Sequence, residues 1–324
     1  MPKNILNKKN KKNGFKTVLI TGGAGYVGSV LTGMLLEEGY RVKVLDILRF
    51  GGNSLLNYIG KPNYEFIKGD VRKKEDVRRA LRGAEAIIHL AAIVGFPACR
   101  KEPELSRDIN VNGTANLVSA AAGKIPIIFA STGSNYGKML EKICTETTPL
   151  NPLTDYGRQK TEAEEIIKKN KKFVIFRFAT AFGVSPRLRL DLLPNDFTYR
   201  AVRDHNLVVY EKHFMRTFIH VRDMARAFIF ALENYPKMKG EIYNVGSNSM
   251  NYSKEEICRL IRKKVDFYLH FADIGHDADQ RDYIVSYDKL EKLGFKTAIS
   301  MEEGIAELIK VAEIITIPSP YHNA

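Results

Sequence analysis

The stretch FKTVLITGGAGYVGSVLTGMLLEEG, residues 15–39, decides the fold. FKTVLIT is a short β-rich run, and YVGSVLTGMLLEEG carries helical spacing up to Gly39, a good helix stop. Between them, Gly22, Gly25 and Gly28 permit a tight turn, close approach of backbone to a pyrophosphate, and close helix–strand packing. The helix start then offers free N–H groups and a positive dipole end to phosphates. Tyr26 and Val27 lie inside this turn and are counted with the cofactor-binding residues. A glycine pattern alone is weak evidence; this one sits in the required context, first strand to first helix.

Outward from this unit the same rhythm repeats. RVKVLD, YEFIKGD, AEAIIHLAA, KIPIIFAS and KKFVIFRF read as further strands, with helical segments between most of them. Strand alternating with helix implies right-handed crossovers and an α/β fold: a Rossmann-type, doubly wound parallel sheet. Past Gly183 the rhythm breaks. SPRLRLDLLPNDFTYRAVRD (185–204) is basic and Pro-interrupted, as a substrate-facing insertion would be. RTFIHVRDMARAFIFALENY then reads as strand plus helix, and EIYNVGS as a strand. The expected organisation is a basic tail at 1–14 and a nucleotide-binding domain at 15–182, rejoined by 217–250. A smaller, discontinuous substrate-binding domain takes 183–216 and 251–320.

The 324 residues suffice for a full core, and no run approaches the roughly 18 to 20 apolar residues of a membrane span. No signal-peptide core is evident at the N-terminus. Cys99, Cys144 and Cys258 have neither a disulfide framework nor metal-ligand spacing, which points to a reduced, cytoplasmic setting and no metal. Net charge is +13, and without five lysines of the head MPKNILNKKNKKNGFK it falls to +8. That head lacks periodicity and reads as a disordered tail. No motif follows that would make it a nucleic-acid arm, and the remaining positive charge suits an anionic small molecule.

Asp46 ends the second strand 18 residues after Gly28. A carboxylate there accepts hydrogen bonds from a ribose diol and repels a 2′-phosphate, which favours NAD over NADP. Arg49, three residues on, leaves room for NADP. Ile47 and Leu48 follow Asp46 on the cofactor side, Asp70 and Val71 suit the adenine edge, and Leu90, Ala91 and Ala92 line the same crevice. His89, inside an apolar strand without partners at ligand spacing, reads as a satisfied core histidine.

A Tyr-x-x-x-Lys spacing occurs three times, at Tyr64/Lys68, Tyr156/Lys160 and Tyr235/Lys239. Residues four apart share a helix face. A tyrosine titrates at about 10; a neighbouring ammonium and an oxidised nicotinamide lower that value toward a usable base. Only Tyr156/Lys160 has upstream hydroxyls to orient a reacting group, Ser131 and Thr132 in FASTGSNYG. The other two pairs read as structural.

TGGAGYVGS, VLD, GDV, HLAA, NVNGT, STGSNYG, YGRQK, RFATAFG, RTFIHVRD, YNVGS and QRDYIVSYDKLEKLGF together resemble the extended short-chain dehydrogenase/reductases, specifically the nucleotide-sugar epimerase/dehydratase group. The resemblance runs from Phe15 to about Ile317. It implies a homodimer using NAD, with Thr132, Tyr156 and Lys160 as the catalytic triad and Asn110 supporting the active-site helix region. Thr180 would face the sugar. Arg216 and Arg281 would hold the diphosphate, a role the guanidinium fork suits. Asn195 lies in the insertion that usually contacts the diphosphate, with Arg187 and Arg189 further candidates there.

The implied chemistry is oxidation at sugar C4, after which a 4-epimerase, a 4-dehydrogenase and a 4,6-dehydratase diverge. The dehydratases carry an Asp-Glu pair after the catalytic Thr, where this chain has Gly133 and Ser134. The insertion and NYPKMKG (234–240) also resemble a branch acting on GDP-linked heptoses. A non-catalytic dinucleotide-binding regulator is the rival reading, set against the retained Tyr156 and Lys160.

Overall fold

The computed structural model describes residues 14–137, 143–272 and 284–315. The lysine-rich head up to residue 13, and Arg281, lie outside them. Strands β1 (Thr17–Thr21), β2 (Arg41–Asp46), β3 (Tyr64–Lys68), β4 (Ala86–His89), β5 (Ile127–Thr132), β7 (Phe173–Phe178) and β11 (Glu241–Val245) build one parallel sheet in the order β11-β7-β5-β4-β1-β2-β3. The remaining strands are β6 (Ile143–Cys144), β8 (Thr180–Phe182), β9 (Asn206–Tyr210), β10 (Met215–His220), β12 (Asn251–Ser253), β13 (Tyr268–Ala272) and β14 (Ile284–Val285).

Both faces of the large sheet are covered at its centre, so strands such as β1 (TVLIT) and β4 (AIIH) are buried along their whole length, while the edge strand β3 (YEFIK) buries only Ile67. Along β1, Val18 and Ile20 point into one core layer and Leu19 into the other. The first layer is closed by helices α1 (Tyr26–Glu37) and, later in the chain, Val221–Glu233. The second is closed by α2 (Lys74–Leu81) and two later helices, Thr114–Ala121 and Asp155–Lys168. Between α2 and these lie α3 (Phe96–Lys101) and α4 (Pro103–Arg107), so the two are α5 and α6. β1 has β2 on one side and β4 on the other, so the chain reverses direction there and a crevice opens at the strand ends.

The strand at 215–220 differs from expectation. The sequence pattern assigns 217–250 to the nucleotide-binding domain, yet β10 pairs with β8 in parallel and with β12 antiparallel, in a separate three-stranded sheet. The following helix, α8 (Val221–Glu233, after α7, Leu193–Arg203), the short helix Tyr235–Met238 and β11 rejoin the nucleotide-binding layers, and Ile219 of β10 also packs into the first of them. The small sheet packs with α7, Lys254–Arg262 and Met301–Ile314 around a third core that includes Phe182, Phe197, Phe218 and Ile305.

Candidate active site

A cavity of about 770 Å³ runs from the glycine loop, past the ends of β2, β3, β4 and β5, to the insertion at 187–197. That volume lies toward the upper end of the roughly 300–1,000 Å³ typical of small-molecule sites.

Two glycines shape one end of the cavity. Gly22 has φ +76°, and a Cβ there would stand 2.7 Å from the Ala91 amide nitrogen. At Gly28 a Cβ would lie 2.3 Å from the Gly22 carbonyl oxygen. Side chains are thus excluded where α1 begins, leaving its first N–H groups open to the cavity. Asp46 borders the same space. Its Oδ2 accepts the Ala24 amide at 2.9 Å and its Oδ1 the Leu48 amide at 2.7 Å. Burial raises its pKa, against which the two amides work. Each oxygen keeps lone-pair capacity for a ribose diol. Asp70 is gripped by the Arg72 guanidinium at 2.6 Å, and although burial opposes it, these hydrogen bonds hold its carboxyl below the usual range. These residues fit a dinucleotide.

Tyr26, Val27, Ile47, Val71, Leu90, Ala91 and Ala92 all line the cavity. Leu48 does not; at φ +63° it turns back to pack on the core, and its amide serves Asp46. Asn110 also stands behind the wall. It sits in a π-helical turn, Asp108–Gly113, and its side chain accepts from the Ile93 amide at 2.8 Å while donating to the Ile93 carbonyl and to Gln159 on α6. It braces the wall and α6.

Helix α6 starts at Thr154, whose hydroxyl accepts the Gly157 amide at 3.1 Å. Its buried stripe is Gly157, Gln159, Lys160, Ala163, Glu164 and Ile167. The spacing is that of an ordinary amphipathic helix, yet half the stripe is polar, a local violation typical of functional sites. Tyr156 and Lys160 both border the cavity, whereas neither Tyr64/Lys68 nor Tyr235/Lys239 does. The Lys160 ammonium lies 4.3 Å from the centre of the Phe129 ring. Burial lowers its pKa to about 8. Thr132 also faces the cavity; its Oγ1 accepts the Ser134 amide at 3.1 Å and donates to the Ser134 hydroxyl at 3.1 Å.

Toward the insertion, Thr180, Arg187, Arg189 and Arg216 line the cavity. The Arg187 guanidinium stacks 4.0 Å from the Phe50 ring centre, and Arg189 is paired with Asp191 at 2.6 Å. Asn195 departs from its expected place. It is fully buried off the cavity wall, with its amide bonded to both Gly183 backbone groups and to the Arg189 carbonyl. It shapes the insertion instead of facing a ligand. His89 bonds Thr21 at 2.6 Å and Thr114 at 3.0 Å, and burial pulls its pKa down to about 3. Among the described residues no group of three or more His, Cys, Asp or Glu could hold a metal. None of their helices is long and apolar enough to cross a membrane.

Sequence reading missed several cavity residues, namely Phe50, Ser134, Asp191, Asp196 and Lys254. They sit in loops and helix starts whose approach to the cavity is set by tertiary packing. It also missed Glu164, although the i+4 step from Lys160 places it on the same buried face.

Residues 18–246 match the model of the "NAD dependent epimerase/dehydratase family". A UDP-glucose 4-epimerase of Streptomyces lividans is 30% identical over 268 residues, 76% of this chain and 80% of that protein. Among solved structures, the UDP-glucose 4-epimerase of Thermus thermophilus in complex with NAD superposes with a TM-score of 0.81 at 25% identity, over 93% of this chain and 100% of that one. The dTDP-glucose 4,6-dehydratase DesIV of Streptomyces venezuelae, with NAD bound, gives 0.80 at 25% identity, over 91% and 96%.

Proposed function

The chain belongs to the NAD dependent epimerase/dehydratase family, and from that premise we propose that it is a nucleotide-sugar 4-epimerase in which Thr132, Tyr156 and Lys160 act on the C4 hydroxyl. One observation carries the reading: of three Tyr-x-x-x-Lys pairs, the pair that borders the cavity shares it with Thr132 and the glycine loop. Bound NAD supplies the hydride acceptor and donor at C4. Lys160, cationic below about pH 8, favours the Tyr156 phenolate and offers donors to a ribose. Tyr156 then takes the C4 hydroxyl proton, oriented by Thr132, and returns it after the C4 face has changed.

Arg187, Arg189 and Arg216, with Arg281 added from sequence, supply cationic forks for the diphosphate, and Thr180 stands where the sugar would lie. Neither Gly133 nor Ser134 offers the carboxylic acid and base that elimination across C5 and C6 needs. A dehydrogenase that releases the ketose shares every residue named here; cofactor retention tells the two apart. Two nucleobases are proposed for test, the uracil of the named epimerases and the guanine that the heptose-like insertion suggests. We carry a cytoplasmic homodimer into the same proposal, its oligomeric state checked by light scattering in solution.

The test is a thermal-shift screen with UDP-, GDP-, dTDP- and CDP-sugars, followed by turnover of the best binder in Tyr156→Phe. Binding without C4 chemistry in that variant is expected. Full turnover by Tyr156→Phe would remove the triad from the mechanism.

A further inference from the structure

Glu164 is fully buried one helical turn beyond Lys160, and its carboxylate gathers groups from several elements. Arg177 on β7 grips it through Nε at 3.0 Å and a second nitrogen at 2.7 Å. Oε1 also accepts the Ser131 hydroxyl and, at 2.8 Å, the Asn135 amide. Ser131 immediately precedes Thr132, and Asn135 closes the short turn that Thr132 begins. Arg177 continues outward to the Tyr136 hydroxyl at 3.3 Å, and Tyr136 donates to Asn244 on β11 at 2.6 Å. The strand end carrying Thr132 and the helix carrying Tyr156 and Lys160 are therefore tied through one carboxylate.

We propose that Glu164 is a positioning residue of the active site: it fixes the Thr132 turn against α6 and keeps the buried Lys160 side chain an ammonium. The second half rests on the catalytic reading of Tyr156 and Lys160 given above. The groups facing Lys160 support it. On its own helix these are Tyr156 and Glu164; from β4 comes His89, from α3 Cys99, and from β5 the uncharged Phe129. His89 is neutral, its pKa pulled down to about 3, and Cys99 is a thiol, its pKa pushed up to about 11, each by burial first. Glu164 is left as the anion acting on Lys160, opposing the burial that lowers its pKa to about 8. A buried ion pair held by several hydrogen bonds is costly to break. Placed here, the pair sets the distance between hydroxyl, phenol and ammonium.

The test reads Lys160 directly, without substrate. NMR of lysine-labelled protein, with the Lys160 signal assigned by Lys160→Met, follows its titration. Glu164→Gln keeps the shape and the hydrogen bonds to Ser131 and Asn135 but removes the charge. The Lys160 midpoint should fall by about one pH unit. Glu164→Asp, which keeps the charge, should hold the midpoint near that of the wild type. Because Glu164→Gln leaves Arg177 without its anion, Glu164→Gln/Arg177→Met serves as the second variant; it removes both charges of the pair and should show a smaller fall. With UDP-glucose as probe substrate, kcat of Glu164→Gln should drop about tenfold while KM stays within about twofold, and the alkaline limb should move with the Lys160 midpoint. A folded Glu164→Gln with the wild-type midpoint overturns the inference, as does a double variant whose midpoint falls further than that of Glu164→Gln. Turnover by Tyr156→Phe would instead overturn the catalytic reading and leave the midpoint result standing.

Discussion

Asp46 closes β2 with one oxygen on the Ala24 amide and the other on Leu48, so its charge is held at the edge of the cofactor cavity. A 2′-phosphate brought there meets like charge in a half-dry site. Asp46→Asn should therefore raise NADP affinity relative to NAD by at least about tenfold, measured by calorimetric titration of both; an unchanged ratio removes Asp46 from the selection. Lys160 gives the pH dependence. In the proposed mechanism its working form is the ammonium, which is complete below its pKa of about 8 and lost above it. kcat should thus decline on the alkaline side with a midpoint near that value, read from a pH–rate profile; a profile flat well into the range of an ordinary lysine would contradict the burial of this group. At this scale the sequence was informative where spacing encodes a shared face, as for Tyr156 and Lys160. It was silent where a side chain's direction depends on a turn. Leu48 swings inward at positive φ, and Asn195 bonds backbone instead of lining the cavity.

The glycine turn and helix α6 are the two elements that make the site. A methyl group at Gly28 would meet the Gly22 carbonyl at 2.3 Å, backbone against which nothing can yield. Gly28→Ala should displace the start of α1 and weaken NAD binding by more than about tenfold, seen as loss of the NAD-induced thermal shift. Normal NAD affinity in that variant would mean that the helix start is not the phosphate site. The insertion depends on Asn195 in a comparable way. Asn195→Ala leaves the Gly183 groups and the Arg189 carbonyl without their buried partner and should cost about 1–3 kcal/mol of stability in denaturant unfolding. A variant as stable as the wild type would show those backbone groups to be satisfied otherwise. Most strands of the large sheet were legible because they are β-rich runs beside a helical pattern. β10 was equally legible as a strand but not as to its partners, since pairing with β8 and β12 is set by contacts far apart in sequence. Likewise the burial of Glu164 was not legible: its i+4 step from Lys160 marks a shared face, but EAEEII looks like a solvated face until the helix is seen from the core.

At the scale of the molecule, the dinucleotide layers and the smaller unit built on β8, β10 and β12 contribute walls of one cavity. Glycine loop, Asp46 and the Tyr156/Lys160 pair come from the first; Thr180, Arg187, Arg189 and Arg216 come from β8, the insertion and β10. In the proposed reading, a substrate lying between them would have its diphosphate among the guanidinium groups and its sugar at Tyr156. For a 4-epimerase the cofactor must stay bound until the hydride returns, so purified protein should carry tightly held NAD and need none added. The most direct measurement is the structure of the product, determined by mass spectrometry and NMR after the best-binding nucleotide sugar is incubated with the protein in deuterated water. Unchanged mass, inverted configuration at C4 and retained C6 oxygen are expected. Loss of one water with deuterium at C6 would contradict the assignment, as would loss of two hydrogens with release of a ketose.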